Sequence, residues 1–125
     1  MVAKNKVIRY GNQNTMFRKH QETLFKYEAV SNEIARLQKA VNQFEYDMKA
    51  LEGKYVAEIS AEVGVDGKPV FSNEKLRAAE LTKRLHSNIS YKELYDMHQD
   101  TSDQLLDARL NLDVLKRWLY FYEAR

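Results

Sequence analysis

Glu93, Asp96, Asp100, Asp103 and Asp107 are spaced 3, 4, 3 and 4 residues apart, so on a helix they form one acidic stripe. Four of the five are Asp, a poorer helix former than Glu, so helix propensity does not explain the choice. Such a row has three uses. It can imitate a row of phosphates and occupy the nucleic-acid groove of a target protein. It can bind a basic protein surface. It can pair with Arg36, Lys39 and Lys49 of a neighbouring helix, as the flanking charges of a coiled coil do.

Basic residues gather elsewhere. Residues 1–26 hold Lys4, Lys6, Arg9, Arg18, Lys19 and Lys26 against Glu22 alone, a charge of +5, while the other 99 residues carry 14 basic and 17 acidic groups, or −3. A basic N-terminus on an acidic body suits contact with an anion, either nucleic acid or an acidic patch on a neighbouring subunit, and it also aids solubility. At the other end of the chain Lys116 and Arg117 precede Trp118, Leu119, Tyr120, Phe121 and Tyr122. Aromatic rings beside cations can stack the bases of a single strand. The same rings are suited to packing against Phe17, Leu24, Phe25 and Tyr27. An antiparallel hairpin would bring both ends together, which makes Lys4, Lys6, Arg9, Arg18, Lys19, Arg117 and Trp118 the nucleic-acid candidates.

Catalysis finds no foothold. His20, His86 and His98 are the only histidines, and no two stand at the i, i+4 spacing of a helical zinc site. Without Cys there is no disulfide, thiolate ligand or cysteine nucleophile. Glycines at 11, 53, 64 and 67 build no phosphate loop, and no Ser stands in a G-x-S-x-G turn. Carboxylates on a solvated helix face lack the separated environments that acid–base work needs. The expectation is no enzyme, no metal and no cofactor.

What must position these groups is helical. Val30, Ile34, Leu37, Val41, Phe44, Met48, Leu51 and Tyr55 alternate steps of 4 and 3. Tyr91, Leu94, His98, Thr101, Leu105, Ala108, Leu112, Leu115, Leu119 and Tyr122 do the same. Each set is a heptad seam that must face another helix. Beside the second seam lie Leu106, Leu110, Val114, Trp118 and Phe121, a further apolar stripe that points to self-association or a protein partner.

The predicted fold is all-α: a long antiparallel helical hairpin of coiled-coil type, with a short helix at the turn and a basic N-terminal arm. The arm is residues 1–14, with a short strand at Val7–Tyr10, and the hairpin domain is residues 15–125. Asn14 or Thr15 should cap the first helix, which runs from about Met16 to about Glu62, with Gly53 marking a bend, a break or a close helix crossing. Gly64 should end it in the left-handed conformation. Asp66-Gly67 marks a turn, and Val70-Phe71 a short extended piece. Ser72 or Asn73 caps the short helix, with Glu74 near its positive end. Ser90-Tyr91-Lys92-Glu93 reads as a capping box that starts the last helix. No apolar run approaches a membrane span, and Met1–Tyr10 lacks the apolar core of a secretory signal, so the expected place is the cytoplasm of a host cell.

From Gly67 to Leu81 the chain reads GKPVFSNEKLRAAEL, and Ile89-Ser90-Tyr91-Lys92-Glu93-Leu94 opens a helix ending in leucines, basic residues and aromatics. Over residues 53–122 this pattern resembles small helical accessory proteins of bacteriophages and mobile elements. In those, a long helix leads to a G-K-x-x-aromatic-S/T-N-E-x-x-R-x-A turn. The resemblance implies no catalytic residues and a role in phage recombination or host takeover. The expected function is a non-catalytic, homo-oligomeric interaction protein that modulates or inhibits a nucleic-acid-handling host protein or defence complex. A direct single-stranded DNA-binding accessory or recombination mediator is the alternative, and a structural assembly component a third.

Overall fold

In a computed structural model that describes residues 2–124, with side chains from residue 14 onward, the chain is all-helical. Helix α1 spans Val2–Ala61, α2 spans Glu74–Ser87 and α3 spans Ile89–Glu123, the element order of a helical hairpin. Contacts divide the chain into two units. The first comprises Met1–Leu37 with Gln104–Arg125, and the second is Gln38–Asp103.

Both seams are covered along their length. No member of either predicted seam is exposed, and Leu37, Val41, Leu105, Leu115 and Leu119 are buried. The first seam extends further in both directions, back through Tyr27, buried Thr23, His20 and Met16, and forward to Ile59. Ile59, at 2% exposure, is the most deeply buried side chain among those described.

Within the second unit the seams run antiparallel. His98 Nε2 lies 3.1 Å from Glu45 Oε1, and the Tyr91 hydroxyl donates to Glu52 Oε1 at 3.3 Å. Seven residues separate these pairs on each helix, so the register holds over a full heptad. Burial, then the nearby charge of Glu52, pushes the Tyr91 phenol above its ordinary pKa. Within the first unit the same antiparallel sense places His20 beside Tyr122, with ring centroids 5.9 Å apart.

Several local expectations are corrected. Helix α1 begins at Val2, so the turn, the short strand and the cap predicted around residues 7–15 do not form. A helix nucleated downstream propagates at one hydrogen bond per residue, and a single glycine costs only about 1 kcal/mol against this. For the same reason α1 passes through Gly53 without a break, and Gly53 marks no close crossing, because a Cβ there would meet nothing within 4 Å.

The connection after α1 is built on Gly67, not Gly64. Gly67 alone among the described residues has a positive φ, +78°. The Gly67 amide donates to the Gly64 carbonyl at 2.9 Å, the Gly64 amide to Lys68 O at 2.8 Å, and the Lys68 amide to Asp66 Oδ1 at 3.1 Å. An isolated antiparallel bridge joins Val63 to Pro69, and the Val70 amide reaches Glu62 O at 3.1 Å. Chain reversal at the Asp66-Gly67 turn ends α1 without a left-handed cap, since Val70 satisfies the carbonyl of Glu62.

Arg84 fastens this connection to α2. It donates to Glu80 at 2.8 Å and to Glu62 at 2.7 Å, and its guanidinium carbon lies 5.9 Å from the centroid of the half-buried Phe71 ring. Those two carboxylate hydrogen bonds hold its pKa above the ordinary value. Asn73 caps α2 as predicted, accepting from the Leu76 amide at 2.9 Å.

Ser90 does not cap α3. Asn88 does, with Oδ1 accepting from the Tyr91 amide at 2.8 Å. Asn and Ser cap about equally well. Asn88 also ends α2 through its own amide, which donates to Leu85 O at 3.1 Å, so one residue turns the chain from one helix into the next.

Candidate interaction surfaces

Glu93, Asp96, Asp100 and Asp103, in the second unit, are all exposed on α3, and so is Asp107 in the first. None of them forms an ion pair among the described residues, so the pairing with Arg36, Lys39 and Lys49 is absent. Arg36 is committed to Glu33 one turn away, with Nε donating at 2.9 Å. That hydrogen bond lowers the Glu33 pKa and raises that of Arg36. Asp96 stands at a groove of about 440 Å³ that is also lined by Tyr91, Tyr95, Lys92 and His86. A carboxylate beside two phenol rings is a setting for a guanidinium or ammonium group.

The second apolar stripe remains uncovered. Leu106, Leu110, Val114, Trp118 and Phe121 are 40 to 57% exposed. The spacing holds a relation that reading each stripe separately missed. From Glu93 through Asp96, Asp100, Asp103, Asp107 and Leu110 to Val114, the steps are 3, 4, 3, 4, 3 and 4. The carboxylates and the apolar residues are thus successive members of one heptad register of α3.

Of the nucleic-acid candidates, Lys4, Lys6 and Arg9 have side chains outside the described residues. Arg18 and Arg117 are exposed and line no described groove with the others. Lys19 and Trp118 do meet, in a groove of about 280 Å³ in the first unit. Lys26 completes that groove and was missed as a candidate, although it lies seven residues from Lys19 and so on the same helix face.

The terminal aromatics meet one another, and Tyr122 also meets His20 of α1. Trp118 and Tyr122 lie nearly parallel, 26° apart with centroids at 6.0 Å. Phe121 meets both edge-on, at 5.8 and 5.7 Å. Phe17, Leu24 and Phe25, expected opposite them, are exposed, and only Tyr27 is partly covered. Seam positions on α1 face α3, and these three lie off the seam.

Among the described residues no group of acidic, His or Cys side chains is arranged to hold a metal ion, and no helix is long and apolar enough to cross a membrane. Compared with known proteins, the chain matches no family model, no curated protein and no solved structure.

Proposed function

We propose that this chain is a non-catalytic interaction protein whose outward α3 register binds a basic surface on a nucleic-acid-handling protein. One observation carries the reading: five carboxylates on α3 are exposed and form no ion pair among the described residues, and the same heptad spacing continues in exposed apolar residues. Unpaired surface carboxylates steer a basic partner, and apolar side chains excluded from water on docking hold it. Within the second unit, Glu93, Asp96, Asp100 and Asp103 suit a partner surface that presents Lys or Arg. The resemblance of residues 53–122 to phage accessory proteins favours host nucleic-acid machinery as the target.

The test compares tagged chain with Asp96→Asn/Asp100→Asn/Asp103→Asn in affinity capture from host lysate, with identification of what is retained. A nucleic-acid-handling protein held by the parent and lost with the triple variant is the expected result. Capture of the same proteins by both would refute the reading. Unchanged helicity by circular dichroism separates lost contact from lost fold.

A further inference from the structure

From the groove between α1 and the end of α3 in the first unit, we infer a second binding site, for single-stranded nucleic acid. Lys19, Glu22, Thr23 and Lys26 line it from α1, at the i, i+3, i+4 and i+7 positions of one face. From α3 come Trp118, Tyr122 and two aliphatic side chains, and no charge. The charged lining is therefore two ammonium groups against one carboxylate.

By sequence, the segments of the first unit also carry the excess of positive charge. Over the sequence, the first unit holds 11 basic and 6 acidic residues, or +5, and the second 9 and 12, or −3. A cleft whose charged lining is predominantly cationic favours an anion. The occupant this groove selects is an anion.

The rings make it more selective. Trp118 is 50% exposed, yet Tyr122 and Phe121 hold it in place, and His20 backs Tyr122. A half-open indole held by neighbouring rings, in a groove that two lysines also line, suits a base and its phosphates. Stacking on such a platform tolerates any base but needs an unpaired one, which selects single strands over duplexes. Val114 belongs both to this groove and to the outward register of α3, but Lys19 and Lys26 share no residue with the five carboxylates, so the lysine and aspartate variants test the two readings separately.

Trp118 is the only tryptophan of the chain, so it reports its own contact. The experiment titrates the full chain with an oligothymidylate of about 15 nucleotides and follows tryptophan fluorescence. Quenching is expected. If Lys19 and Lys26 each neutralise a phosphate, affinity falls about sevenfold or more between about 50 and about 200 mM salt. Lys19→Gln/Lys26→Gln should flatten that dependence. By anisotropy of a labelled strand, Trp118→Leu should weaken binding about tenfold while helicity is kept. Absence of quenching at low salt by folded protein would overturn the proposal. So would equal quenching by a duplex or by inorganic triphosphate, which would mean anion binding without stacking.

Discussion

Asn88 Nδ2 donates to the Tyr55 hydroxyl at 2.6 Å, across 33 residues of sequence. The same side chain caps α3 through Oδ1, and its backbone closes α2 and opens α3. A junction between two helices is thereby pinned to the C-terminal end of the first seam.

Replacing Asn88 should therefore cost more than an ordinary cap. Asn88→Ala removes the cap, about 1 kcal/mol, and leaves the Tyr55 hydroxyl without its donor, about 1 kcal/mol more. Asn88→Asp keeps the acceptor and loses the donor, so it should fall between. Urea unfolding of both, in a double-mutant cycle with Tyr55→Phe, measures the coupling. Additive effects would show that the contact does not stabilise the fold.

Two glycines should respond in opposite directions to the same change. Gly53→Ala places a methyl in open space on a helix and should stabilise by about 1 kcal/mol. Gly67→Ala forces a side chain into φ +78° and should destabilise by about 1 kcal/mol. Thermal unfolding distinguishes them by the sign of the shift.

Ile59→Ala should destabilise by about 2 to 5 kcal/mol, since the side chain is 2% exposed. Val56, one turn away and half-exposed, is the control: Val56→Ala should cost far less. Equal losses in denaturant unfolding would mean that Ile59 is not the anchor of its unit.

Removing Arg84 should loosen the connection between α1 and α2 rather than unfold the chain. With Arg84→Gln, Glu62 and Glu80 lose their ion pairs and Phe71 its cationic cover. Backbone amides such as those of Gly64 and Val70 should then exchange faster, while those of the seams stay protected. Uniform acceleration across the chain would place Arg84 in the global fold instead.

Alkaline titration should single out Tyr91. Its phenol is held above the ordinary value near 10, so the neutral form is favoured in the folded chain. The resulting stability is complete below that value and is lost as pH rises through the folded-state pKa. Tyr91→Phe forgoes the hydrogen bond to Glu52 and should be less stable at neutral pH. The gap should close as pH climbs past about 10, and a constant gap in unfolding measured against pH would contradict the shift.

Periodicity alone determined that this chain is helical and which residues face inward, because a stripe spaced by 3 and 4 can be buried only against another helix. Local chemistry narrowed the α2 cap to Ser72 or Asn73, of which Asn73 is used, and placed Asp66-Gly67 as a turn. Only the tertiary structure chose between equivalent local signals. Ser90 and Asn88 are comparable caps, and the residue used is the one that also reaches Tyr55. Gly64 and Gly67 are both able to turn the chain, and the pairing of Val63 with Pro69 assigned the positive φ to Gly67. Likewise Lys26 and Trp118 lie 92 positions apart, and the antiparallel register within their unit makes them walls of one groove. Spacing along a helix is written in the sequence, whereas the register between two helices depends on how both seams interlock.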